Sequence, residues 1–213
     1  MPKIQDEAER LVGSVREMRR WPVILVVGSR DEKRADDWSD RAETVGQLLA
    51  QMPVHLLTGA GPAAMAAVSQ AFVEWRSQDG RPAEGKCIGI VPCDAADPAK
   101  PKKGYPNPFV EIAIHTHLPG GLGKEKSNES RNHINVLTAD GIIALPGGAG
   151  TLAEIELAAV NKEKRIIAYV DNRKMIEGLP KGIRNQGGKE ALMVFLLDVF
   201  RDVLRQRSTS GRP

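Results

Sequence analysis

Val23-Ile24-Leu25-Val26-Val27 is an unbroken apolar run that stops at Gly28-Ser29. A strand apolar on both sides belongs in the middle of a parallel sheet covered by helices on both faces. Further runs rich in apolar residues at Val54–Leu57, Cys87–Val91, Val110–Ile114, Gly141–Leu145 and Arg165–Val170 predict further strands. Stretches of helical length separate them, at about Trp38–Gln51, Pro62–Trp75, Glu125–Thr138 and Thr151–Val160, and a last one covers Lys189–Arg205. Ahead of the first strand, Ile4, Ala8, Leu11, Val12, Val15 and Met18 recur at helical spacing and predict an amphipathic helix within residues 1–20. Trp21-Pro22 ends it, because a residue before proline avoids the helical region. Strands alternating with helices predict an α/β fold, a Rossmann-like, doubly wound and mostly parallel sheet with helices on both faces. Residues 1–206 form one expected domain, and 207–213 an expected disordered tail.

Composition narrows the class. The chain has 213 residues, 41% hydrophobic and 27% charged, which is globular usage and excludes wholesale disorder. Thirty basic against twenty-seven acidic residues leave a formal charge of +3. That is too small and too evenly spread for a nucleic-acid footprint, so no nucleic-acid partner is expected. Two cysteines make no disulfide framework. No apolar run reaches membrane-spanning length, and residues 1–20 lack the apolar core of a signal peptide, so a cytoplasmic protein with no membrane partner is expected.

The candidate chemistry lies in the turns after strands. Pro146-Gly147-Gly148-Ala149-Gly150-Thr151-Leu152-Ala153-Glu154 follows an apolar strand and opens a helix. Glycines let the backbone approach an anion, and the free N–H groups of a first helical turn point at it. Gly147, Gly148, Ala149, Gly150 and Thr151 therefore predict a phosphate cradle, with the Glu154 carboxylate one turn further in. Upstream, Asn128, Arg131, Asn132 and Asn135 fall at i, i+3, i+4 and i+7 and form a polar stripe on one helix face. Asparagine is a poor helix former where lysine or glutamate would fill a solvated face, so the stripe is expected to face a pocket. Arg131 offers planar donors suited to phosphate or carboxylate. Gly59-Ala60-Gly61 with Ala64 matches a dinucleotide-type turn, but Asp79 falls in a turn rather than at a strand end, which favours a mononucleotide. Gly28 and Ser29, with Arg30 next to them, are further candidate contacts after the first strand. His115 and His117 alternate on one strand without a third ligand at a recognisable spacing, so no metal is expected. The aperiodic, proline- and lysine-bearing stretch from Asp94 to Pro108 has the length of a lid, a binding loop or a mobile segment.

The Pro146–Glu154 string, with Arg131 ahead of it, resembles the LOG family of cytokinin riboside 5′-monophosphate phosphoribohydrolases, over roughly Pro22 to Val170. With the molybdenum cofactor carrier proteins these belong to the SLOG nucleotide-binding superfamily. The resemblance implies a Rossmann-like fold, a homodimer or higher homo-oligomer, and a small phosphorylated nucleotide-like ligand. It also implies that Arg131 and Glu154 match the catalytic arginine and glutamate of the hydrolases, with no cofactor required. Asn132 and Asn128 stand where the hydrolases place lysine and methionine, and Thr58-Gly59-Ala60-Gly61-Pro62 replaces their early triple-glycine turn. The stretch from Asn107-Pro108-Phe109-Val110 through Leu122-Gly123, with the Arg131-Asn132 pair, is similar to the carrier-like branch. Two functions follow as expectations: hydrolysis of the N-glycosidic bond of a purine nucleoside 5′-monophosphate, or binding of a nucleotide or molybdenum cofactor without turnover.

Overall fold

A computed structural model describes residues 2–78, 85–120, 129–160 and 164–210. Among these described residues, seven strands form one sheet: β1 (Val23–Val27), β2 (His55–Thr58), β3 (Cys87–Cys93), β4 (Ile112–Pro119), β5 (Gly141–Ala144), β6 (Arg165–Ala168) and β7 (Arg184–Asn185). Their order is β4-β3-β2-β1-β5-β6-β7, and all six pairings are parallel. The chain winds outward from β1 to β4, then returns to β1's other side with β5. That reversal is the topological switch point, where the connections leave in opposite directions and a crevice opens at the carboxyl ends of the strands.

Six helices of the described residues cover the sheet: α1 (Pro2–Arg16), α2 (Ala35–Ala50), α3 (Ala64–Arg76), α4 (Asn132–Thr138), α5 (Ala149–Val160) and α6 (Lys189–Ser210). The alternation of strand side chains divides the core in two. Ile24 and Val26 of β1 pack with α1, α2, α3 and α6 in a cluster that includes Leu11, Val15, Trp38, Phe72, Phe195 and Phe200. Val23, Leu25 and Val27 face the other side and meet α4 and α5 through Val136, Ile155 and Ala158. The unbroken apolar run of β1 therefore has the two-sided burial its sequence predicts, and each of its residues is buried.

Several boundaries move. α1 ends at Arg16 rather than near residue 20, with Met18 closing a last turn onto the Val15 carbonyl. α6 continues to Ser210, past the expected start of a tail at residue 207; no glycine or proline interrupts it before Gly211. β4 is longer than its apolar run and reaches Pro119, as an edge strand with Ile112 and Ile114 each 44% exposed. β7, two residues long and polar, carries no apolar pattern that would predict it. The expected helix from Glu125 starts, within the described residues, at Asn132, and Asn128, Leu122 and Gly123 lie outside them. No helix among the described residues is long and apolar enough to cross a membrane.

Candidate functional site

Three turns meet at the switch point. Gly28-Ser29 leaves β1, Thr58–Pro62 leaves β2, and Pro146–Gly148 leaves β5 to start α5. Hydrogen bonds tie them together: the Ser29 amide donates to Pro146 O (3.1 Å), and the Ala64 amide at the start of α3 donates to Ser29 O (3.1 Å). Gly28 is required by crowding, since a Cβ there would stand 2.9 Å from the Ala64 methyl and 3.2 Å from Leu145 Cβ. The turn after β2 holds Ala60 and Ala63 at φ of 59° and 57°. Each such non-glycine conformation costs on the order of 1–3 kcal/mol and persists where the surroundings over-determine it.

The turns open onto a cleft of about 770 Å³. At one wall is the start of α5. The first amides of a helix have no intrahelical partner. Leu152 makes the first backward bond, to Gly148 O at 3.0 Å. Among the described residues the amides of Gly148, Ala149, Gly150 and Thr151 meet no protein acceptor, and all four residues line the cleft. A Cβ at Gly148 or Gly150 would meet nothing within 4 Å, so these glycines leave the backbone bare toward the opening. Gly147 has a different reason: a Cβ there would collide with Thr151 Oγ1.

Arg131 and Glu154 lie at the floor, with side chains 6% and 11% exposed and Nη1 3.9 Å from Oε1. Asn135, wholly buried, donates from Nδ2 to the same Oε1 at 2.7 Å. Burial raises the proton affinity of the Glu154 carboxyl, against the opposing pull of Arg131, the Asn135 hydrogen bond and the Arg30 charge. Arg131 Nε and Nη1 are buried and reach no hydrogen-bond acceptor among the described residues. A buried guanidinium with orphaned donors is expensive, and such groups mark places where a further acceptor belongs. Ser130 fixes the arginine's approach, its Oγ accepting from the Asn132 amide (3.2 Å) while the Arg131 amide reaches Pro119 O (3.3 Å).

The expected residues divide. Gly28, Ser29, Arg131, Asn132, Gly148, Ala149, Gly150, Thr151 and Glu154 line the cleft together. Asn135 stands behind Glu154 rather than in the opening. Gly59 backs the arginine: the Arg131 guanidinium lies where a Cβ would be. Gly61 backs the loop, because a Cβ there would stand 2.9 Å from the Tyr105 hydroxyl. Asn128 falls outside the described residues. His115 and His117 are both exposed on β4, away from the cleft.

Arg30 joins the cleft lining, as its place beside Ser29 suggests, as do Lys102, Lys103 and Tyr105 of the candidate loop, and Asp31 and Arg34, which no motif in the sequence marks. The lysines arrive through the 94–108 segment, which folds back against the end of β3. Asn107 anchors it, donating from Nδ2 to Gly61 O (3.0 Å) and from its amide to Ala60 O (2.9 Å). A further bond from the Lys102 amide to Pro92 O (2.9 Å) and the bridge between Cys93 and Pro101 hold its other end.

Fold and site together define a Rossmann-like α/β protein with a cation-lined cleft at its switch point. The chain belongs to the SLOG cluster4 family, whose profile matches residues 22–192. The molybdenum cofactor binding protein from the phototrophic bacterium Rippkaea orientalis is similar at 26% identity and a TM-score of 0.51, over 92% of this chain and all of that one. The molybdenum cofactor carrier protein from Chlamydomonas reinhardtii shares the fold at 19% identity and a TM-score of 0.57, covering 86% of this chain and 99% of that one. The X-ray structure of TM1055 shares it at 21% identity and a TM-score of 0.59, covering 82% and 98%. No curated protein matches the sequence.

Proposed function

We propose that this protein binds a phosphorylated, nucleotide-like heterocycle, of the pterin or purine kind, and releases it intact. The phosphate sits on the amides of Gly148 to Thr151, and the Arg131 guanidinium supplies the donors that complete its shell or that of the adjoining sugar or ring. The observation that carries this reading is the pair of unsatisfied donors, Nε and Nη1, on buried Arg131 at the floor of a cleft whose wall is a bare helix start. The match over 92% of this chain to a molybdenum cofactor binding protein supports a cargo of that class. So does Asn132, a neutral residue where the resembling hydrolases carry lysine.

One observation favours a second reading. Glu154 lines the cleft beside Arg131, as hydrolysis of a nucleoside 5′-monophosphate requires. There Glu154 would orient the attacking water and stabilise the oxocarbenium-like ribosyl centre, while Arg131 assists the departing base. A thermal-shift series with molybdopterin, purine nucleoside 5′-monophosphates and inorganic phosphate, followed by assay of the mixtures for ribose 5-phosphate, separates the two. Intact ligand with a shift that grows as RT ln(1 + [L]/Kd) is the expected result. Release of ribose 5-phosphate that vanishes in Glu154→Gln establishes the hydrolase instead. No shift with any phosphorylated compound overturns both.

A further inference from the structure

We infer that the cleft has a second anion subsite, built by Lys102 and Lys103, so that its ligand is an elongated molecule anionic at both ends. The inference rests on the phosphate-cradle reading and goes beyond it. Among the described residues five cationic side chains line the cleft, Arg30, Arg34, Lys102, Lys103 and Arg131, against the carboxylates of Asp31 and Glu154. Arg34 is paired with Asp37 (2.9 Å), and Arg131 faces Glu154. Asp31 is occupied as a cap, accepting from the Lys33 amide at 3.0 Å. Among the described residues Arg30 and Lys103 have no ion-pair partner, and Lys102 Nζ meets only the Tyr105 ring, 5.8 Å from its centroid.

Position separates these charges from the cradle. Arg30 lies beside the floor, close enough that its charge acts on both Arg131 and Glu154. The loop that carries the lysines is pinned by Asn107 to the turn after β2 and by the Lys102 amide to Pro92 O at the end of β3. β2 and β5 have β1 between them, so the turn that holds Asn107 and the turn that opens the cradle leave strands two spacings apart, roughly 10 Å. On that spacing the lysines are expected to meet a second anionic group rather than the phosphate held on α5. A group directly bonded to that phosphate, such as the β-phosphate of a diphosphate, stays on the cradle side.

Alkyl phosphates serve as rulers that need no knowledge of the heterocycle. Binding of hexyl phosphate, hexane-1,6-diyl bisphosphate and inorganic pyrophosphate is measured by calorimetry on the full chain. The six-carbon bisphosphate spans about 10 Å, matching two strand spacings. It is expected to bind at least tenfold tighter than hexyl phosphate, and pyrophosphate is expected to show no comparable gain. In K102A/K103A that ratio should collapse toward one. A bisphosphate no tighter than the monophosphate, a gain of equal size for pyrophosphate, or a ratio unmoved in the double variant overturns the second subsite while leaving the cradle standing. If neither hexyl phosphate nor pyrophosphate binds, the cradle itself fails and this inference falls with it.

Discussion

Gly59 shows how far a single absent methyl can act. Its role is the shelf on which the Arg131 guanidinium lies, one element away from the cradle it resembles in sequence. Gly59→Ala forces that buried guanidinium off its place, an overpacking change of the kind that costs about 1–3 kcal/mol. The expected outcome is a lowered melting temperature together with at least tenfold weaker binding of a phosphate monoester, both read from one ligand-dependent melting series. Glu154 offers a second, pH-based test at the same scale. Burial raises its folded-state proton affinity above the ordinary value of 4.5, so the folded chain holds a proton that the unfolded chain releases. Stability from this group is therefore complete below pH 4.5 and declines as pH rises through the window up to the higher folded value. Glu154→Gln should flatten that decline, and the difference between the two proteins' urea midpoints across pH 4 to 8 measures it. A wild-type deficit that grows as pH falls would mean that Arg131 and Asn135, not burial, govern the carboxyl.

At the scale of elements, one side chain helps to anchor one end of the strap over residues 94–108. Asn107 donates to Gly61 O and accepts from the Phe109 amide (3.1 Å), at a residue only 5% exposed. Asn107→Ala leaves the Gly61 carbonyl and the Phe109 amide without these partners, a loss of about 1–3 kcal/mol. The strap should then be cut faster by limited proteolysis, and binding of doubly anionic ligands should weaken more than the melting temperature falls. The same element marks the limit of what the linear sequence conveys. Strands β1, β3 and β5 are legible because two-sided burial demands consecutive apolar residues, and the Gly148–Thr151 helix start because glycine spacing carries its own local signal. The lysines of the strap are legible only as part of a proline- and lysine-bearing loop, since the loop's anchorage includes an asparagine reaching a carbonyl 46 residues earlier in the chain. Gly59 and Asn135 are legible as site residues by spacing, but their actual jobs, shelf for an arginine and donor to a carboxylate, exist only once helix and strand have met. β7 has no signal, being a two-residue polar edge.

For the molecule as a whole, a net charge of +3 conceals an uneven distribution. Much of the surface charge is locally paired, as in Arg165 with Asp202, Arg201 with Glu7 and Asp198, and Lys100 with Asp97. The cleft instead gathers cations from the loops after β1 and β3 and from the start of α4, against few carboxylates. A concave site lined by one sign of charge concentrates field lines and raises the local concentration of oppositely charged ligand. Its exposed members, Arg30 and Lys103, are open to screening, whereas Arg131 at the floor is shielded. Raising ionic strength from about 0.01 to 1 M shortens the Debye length from about 30 to about 3 Å. The expected consequence is a two-part salt response: affinity for a phosphorylated ligand falls by roughly tenfold, carried mostly by a slower on-rate, and then levels off at the contribution of the amides and the buried arginine. The surface pairs are worth little individually, so the melting temperature of the free protein should change by only a few degrees over the same range. Stopped-flow association rates beside ligand-free melting curves at matched salt give both numbers. An affinity indifferent to salt would mean that the exposed cations of the cleft do not face the ligand, whatever the helix start does.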